Sequence, residues 1–187
     1  MKCKNCRGKI TETSRYCPEC GYPVDEKFLV NREDFLRDTV TKGASDRLSP
    51  DTNEHLTILE HQGHLYYWDE SCLGLWVDKV VLDEVGAEAA QIVFENLNPT
   101  DQKYFNQAKE HIKLKASGMK SPVSGQELDE HYYKALVIDQ DFETGGIWID
   151  SNVISFWYAA SQNKDAPALT QVEELLHILV HLKFFED

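Results

Sequence analysis

Gly74-Leu75-Trp76-Val77-Asp78 and Gly146-Ile147-Trp148-Ile149-Asp150 are two copies of one pattern, and their tryptophans lie 72 residues apart. Shifting the chain by that offset aligns more without a gap. Ser49-Pro50 falls on Ser121-Pro122, Thr52 on Ser124, Leu56 on Leu128 and Asp69 on Asp141. A fixed internal period sets the architecture before any other feature is read. It predicts two copies of one unit, at residues 49–118 and 121–187.

Each unit reads as a β-hairpin followed by two helices. In the first, Leu56 and Ile58 alternate with polar neighbours, Gln62-Gly63 turns, and His64 to Trp68 returns as a strand. Asp78 caps a helix over 79–97, and Thr100 caps another over 101–116. In the second, strands are expected near 126–132 and 135–140, and Asp150 caps a helix over 151–162. Thr170-Gln171-Val172-Glu173 reads as a capping box opening the last helix.

Ahead of the units, Cys3-x-x-Cys6 and Cys17-x-x-Cys20-Gly21 form two thiol knuckles. This separation lets a hairpin bring four thiolates around one tetrahedral Zn²⁺. Cys3, Cys6, Cys17 and Cys20 are therefore the candidate metal ligands, one structural zinc per chain. A closed site of four thiolates leaves no coordination position for catalysis. Two disulfides are the competing reading, and the absence of a secretory signal argues against them. Residues 1–24 are thus expected as a zinc ribbon, similar to the short zinc-ribbon family. Residues 25–48 read as a helical connector, with a short helix capped by Asn31 and a break at Lys42-Gly43.

The units resemble the transcription-factor-IIB-type zinc finger, whose pattern runs Cys-Pro-x-Cys, hairpin, Cys-x-x-Cys-Gly-Gly-x-Trp-Leu-Asp, helix. The resemblance covers 49–85 and 121–158. It implies ligand positions at Ser49, Thr52, Asp69 and Cys72, and at Ser121, Ser124, Asp141 and Thr144. Hydroxyls stay protonated near neutral pH and do not serve as zinc ligands, so both units read as metal-free descendants. Their small polar side chains are expected to bond turn N–H groups and each other, with the aspartates as anchors.

The 187-residue chain carries a net charge of −13, with 42% hydrophobic and 11% aromatic residues. Residues 1–24 hold five cations against two acids, so the other 163 carry −16. A bound Zn²⁺ with four thiolates brings the ribbon down to about +1. So acidic a body repels phosphate backbones and argues against nucleic acid as a partner. No run approaches the ~20 apolar residues of a membrane span. The expectation is a soluble cytoplasmic protein.

His177 and His181 lie four apart on the last helix and, with Glu173 and Glu174, read as a solvated stripe. His55, His61 and His64 read as surface polars of the first hairpin. Cys72 lies among acids, Asp69, Glu70 and Asp78, which suit a relict knuckle residue better than a nucleophile. Val172, Leu175, Leu176, Ile178, Leu179, Val180, Leu182, Phe184 and Phe185 cover most of the last helix, either buried in the fold or forming a homodimer face. The sequence thus predicts a small α+β protein, non-enzymatic, binding zinc and acting as an interaction or adaptor module for an unidentified protein. The alternative is a nucleic-acid-associated transcriptional regulator that uses the ribbon.

Overall fold

The computed structural model describes residues 1–86, 90–114 and 117–185. After the N-terminal hairpins come a 3₁₀ turn (Glu26–Phe28), α1 (Arg32–Leu36) and the strands β1 (Val40–Leu48), β2 (His55–His61), β3 (His64–Trp68) and β4 (Leu75–Val77). Then follow α2 (Lys79–Gly86), α3 (Ala90–Glu95), α4 (Pro99–Ala108) and β5 (Ile112–Leu114). The chain closes with β6 (Asp129–Tyr133), β7 (Leu136–Gln140), β8 (Ile147–Ile149), α5 (Ser151–Ser161) and α6 (Ala168–His181).

Helices and strands mix in an α+β fold built on one eight-stranded antiparallel sheet, ordered β1-β2-β3-β4-β8-β7-β6-β5. The two Trp strands meet at its centre. Leu75 faces Ile149, Trp76 faces Trp148, and Val77 faces Ile147. Outward from that seam the pairings match at the 72-residue offset: Thr57 faces Trp68 as Asp129 faces Gln140, and Val40 faces Glu60 as Ile112 faces Tyr132. The helices keep this spacing only where α2 and α5 begin, at Lys79 and Ser151.

Alternation divides the side chains between two faces. Leu59, Tyr66, Trp68, Leu75, Val77, Leu136, Ile138, Ile147 and Ile149 point toward the helices and join their apolar faces in the main core. Trp76, Trp148, Leu56 and Leu128 form a second cluster on the other side, with Tyr67, Cys72 and Met119 against it. Leu175, Leu176, Ile178 and Leu179 of α6 are buried, and this helix packs on α1, α2, α3 and α5. Burial within the chain accounts for its apolar circumference.

Several local expectations change. The connector does not stay irregular: Val40–Leu48 is an edge strand on β2, bulged near Gly43. The helix expected over 101–116 stops at Ala108, because Ile112–Leu114 pairs with β6. The helix expected over 79–97 runs as α2 and α3, and residues 87–89 lie outside the described residues. Thr170 and Glu173 form no capping box, since α6 already begins at Ala168. Thr170 instead bonds His61 Nε2 at 3.1 Å, and Glu173 accepts the Tyr66 hydroxyl at 2.5 Å. Asn31 does cap α1, in a reciprocal box with Asp34.

The pattern Gly-x-Trp-x-Asp acquires a reason for each residue. A Cβ on Gly74 would lie 2.1 Å from the Trp148 ring, and one on Gly146 would lie 2.4 Å from the Trp76 ring. Each glycine makes room for the other copy's tryptophan. Each indole N–H then donates to the aspartate two residues on, at 2.8 Å for Trp76–Asp78 and 3.1 Å for Trp148–Asp150. Gly74→Ala is therefore expected to destabilise the protein by about 2 kcal/mol or more, as overpacking does. Adding Trp148→Leu should recover part of that loss, whereas adding Trp76→Leu should not. Chemical denaturation of the single and double variants measures the coupling; equal recovery by both leucines would contradict the reciprocal fit.

Candidate metal centre

Cys3, Cys6, Cys17 and Cys20 place their sulfurs within 4.8 Å of one another. Cys3 Sγ lies 3.7 Å from Cys20 Sγ, and Cys6 Sγ lies 3.6 Å from Cys17 Sγ. A Zn–S bond of about 2.3 Å in a tetrahedron requires sulfur separations of about 3.8 Å. A disulfide would require about 2.05 Å, and all five cysteines are free. The four sulfurs can therefore hold one metal ion.

The backbone supports the same conclusion. Cys3 N–H donates to Gly8 O and Arg7 N–H to Cys3 O, at 2.9 and 3.1 Å. Cys17 N–H donates to Tyr22 O and Gly21 N–H to Cys17 O, at 3.0 and 2.9 Å. These turns aim N–H groups at sulfur, as Gly8 N–H does at Cys6 Sγ (3.4 Å). Burial pushes the Cys3 thiol up, but backbone donors at Cys6 and Asn5 outweigh it and leave it lowered to about 7. Burial raises Cys17 to about 12. Four thiolates this close repel one another, and a dication supplies the missing charge.

The cluster is stapled to the body. The Tyr16 ring packs edge-on to Phe156, with centroids 4.6 Å apart, and its hydroxyl donates to Asp101 at 2.9 Å. Arg15 pairs with the same carboxylate and donates to Ala160 O at 2.5 Å. Asp101 is wholly buried, so the first hairpins supply two of its donors. Nothing in the spacing of Arg15 or Tyr16 signals this contact.

The same turn occurs four more times. Ser49, Asp69, Ser121 and Asp141 each donate N–H to the carbonyl five residues on and accept from the N–H four residues on, at 2.7–3.1 Å. In all six turns that fourth residue has a left-handed φ: Arg7 64°, Gly21 72°, Asn53 62°, Leu73 61°, Gly125 72° and Gly145 75°. In these last four turns the side chains bond one another and the turn N–H groups. Asp69 Oδ2 accepts Thr52 Oγ1 at 2.5 Å, and its Oδ1 accepts Ser71 N–H at 2.7 Å. Asp141 Oδ2 accepts Ser121 and Thr144 hydroxyls at 2.6 and 2.7 Å, and its Oδ1 accepts Glu143 N–H at 2.8 Å. The aspartates are turn anchors, as their chemistry predicts. Among the described residues, only the cysteine group gathers three or more potential metal ligands.

The remaining candidates do not assemble. His61 is buried, not superficial, because its Nδ1 faces Asp38 O at 2.8 Å. His64 lies 3.2 Å from Glu84, and His55 faces Ser45 O at 2.9 Å. Glu173 leaves the expected solvated stripe for the interior, drawn in by Tyr66. Burial and the neighbouring Asp69 push the Cys72 thiol up to about 12. One contact escaped the sequence altogether: His111 Nε2 lies 2.9 Å from His131 Nδ1, beneath Phe184.

Burial raises the Asp69 and Asp141 carboxyls, but the hydroxyl and N–H donors outweigh it and hold both below the ordinary carboxylate range. A carboxyl whose folded value is depressed stabilises the fold above its unfolded value, about 3.9, and that stability is lost as pH falls through the folded value. Asp141→Asn is thus expected to cost about 1–3 kcal/mol at neutral pH. It should also flatten the fall in melting temperature below about pH 4. A variant that melts like the parent at both neutral and acid pH would remove the anchor role.

No protein-family model matches this chain, and no curated protein and no solved structure matches it either.

Proposed function

We propose that the chain is a non-enzymatic interaction module held at its N-terminus by one zinc ion, and that its body is built from two zinc-finger-like repeats that have exchanged metal for hydrogen bonds. The observation that carries this reading is the common knuckle. Six turns share one backbone pattern, and only the pair with four thiolates presents the charge a dication requires. Zinc is favoured among metals by four thiolates at tetrahedral spacing. Ser49, Thr52, Asp69 and Cys72, like Ser121, Ser124, Asp141 and Thr144, keep the knuckle shape through their own bonds.

An adaptor role is supported by what the site would do. A closed tetrathiolate centre is structural, and the raised Cys72 thiol is a poor nucleophile. The net charge of −13 favours a protein partner over nucleic acid. In filter binding at low salt, retention of duplex or single-stranded DNA would instead favour the regulator reading.

Metal content is the direct test. Purified protein is expected to carry one zinc per chain by elemental analysis, and none after Cys3→Ser and Cys17→Ser together. The reciprocal experiment is stronger. Ser49→Cys, Thr52→Cys and Asp69→Cys, beside the native Cys72, should raise the content to two per chain. Continued stoichiometric zinc in the Cys3/Cys17 variant would refute the site, and a triple variant that folds yet stays at one zinc would refute the relict reading of the body.

A further inference from the structure

The two halves of the sheet share one register, so each serves as a control for the other. In the first half, Arg47 Nη1 reaches both Asp78 oxygens, at 2.8 and 2.9 Å, and its guanidinium lies 3.8 Å over the Tyr67 ring. This cation caps the outer side of the Trp76 strand. Seventy-two residues on, the corresponding positions are Met119, Asp150 and Asp139. The carboxylate is kept, the arginine is gone, and a second carboxylate replaces the tyrosine.

Asp139 stands between Glu130 and Trp148 on one cross-strand row. It is 1% exposed, and its Oδ1 has no hydrogen-bond partner. Asp150 accepts the Trp148 indole N–H but makes no side-chain cap bond to α5. Burial first, then Asp150 and Glu130, push the Asp139 carboxyl up to about 7. Burial, Asp51 and Glu130 likewise raise Asp150. Ser117 offsets the rise at Asp139 only in part, and a buried carboxylate with an unpartnered oxygen is costly; its usual remedy is a paired cation.

We propose that the Met119–Asp139–Asp150 position receives one guanidinium group, carried by an arginine of a protein partner. Two carboxylates suit the planar fork of a guanidinium better than an ammonium. The first half shows that the position beside the Trp-x-Asp strand accommodates that group. Met119, at the position of Arg47, is half-buried against the Trp76–Trp148 cluster, and an unbranched thioether moves aside at small cost. Beside it the short edge strand β5 exposes Ile112 and Leu114, and β6 exposes Tyr132 on the same side. These offer apolar contact to residues flanking the arginine, which a free amino acid lacks. The acidic body attracts such a basic segment. This inference rests on the interaction-module reading and specifies the chemistry of the partner.

The test uses full-length, zinc-loaded protein and calorimetric titration with acetyl-Leu-Arg-Leu-amide. The same peptide with citrulline, and free arginine, are the comparison ligands. The arginine peptide is expected to saturate, and both comparison ligands to bind at least about tenfold more weakly. Asp139→Asn should weaken the peptide about tenfold. Met119→Arg should supply an internal guanidinium, raise the melting temperature and abolish binding. Should that variant not fold, Asp139→Asn decides alone. Equal binding of citrulline, full binding by Asp139→Asn or by a folded Met119→Arg, or no saturation by about 10 mM peptide would overturn the proposal. Free arginine binding as tightly as the peptide would overturn the protein partner. Zinc content measured on the same samples separates this failure from failure of the zinc reading.

Discussion

The sheet depends on two tryptophans that face each other across its central strand pair. Trp76 and Trp148 are wholly buried, and each ring lies where a side chain on the other copy's glycine would be. Large fully buried aromatics dominate core energetics, and close packing leaves little tolerance for a displaced ring. The seam therefore fixes several things together. It sets β4 against β8, it turns the apolar residues of both strands toward the helices, and it closes two four-stranded meanders into one sheet. A one-residue slip of β8 against β4 would turn Trp148 to the helical side and send Ile147 and Ile149 outward, away from the core that Leu75 and Val77 enter.

That seam was half legible in the sequence. The period of 72 and the identity of the Gly-x-Trp-x-Asp stretches were visible, and so were the strands at 64–68 and 135–140, the second observed as Leu136–Gln140. What the pattern could not convey is that the copies pair with each other. A glycine two residues before a tryptophan looks like a turn residue within its own copy, and its steric reason lies 72 residues away. Position alone makes the aspartates helix caps. They serve first as acceptors for the indoles, because a buried indole N–H needs a partner and Asp78 and Asp150 stand two residues away on the same face. The strand at Val40–Leu48 was missed for a related reason. Lys42, Gly43 and Ser45 carry no alternating pattern, and pairing with β2 overrides their weak local preference.

The four-cysteine cluster was legible because its chemistry is local. Two Cys-x-x-Cys knuckles at one separation allow few other geometries, and the sulfurs lie where the spacing placed them. The anchoring role of Asp69 and Asp141 was legible as well, from the small polar residues around them. The common backbone of all six turns was hidden, since Arg7 and Leu73 hold left-handed conformations that their side chains do not favour. Only the bonds on either side of them explain why they do so. The attachment of the ribbon to Asp101 through Arg15 and Tyr16 was likewise beyond sequence reading, because it joins residues more than eighty positions apart.

Four thiolates and an aspartate-centred set of hydrogen bonds hold their turns together in different ways. A closed tetrathiolate ties the stability of its turns to one ion, so the turns answer to chelation and to the pH at which thiols protonate. An aspartate that collects two hydroxyls and two backbone N–H groups answers only to acid, well below neutral pH. The body can afford that weaker anchor because the tryptophan seam and the shared helical core already hold the knuckles in place. The N-terminal hairpins bury only Ile10 and two cysteines in a cluster of their own and lean on the body through Tyr16. So small a core cannot offset the entropy of ordering those turns, and it is there that the four cysteines gather.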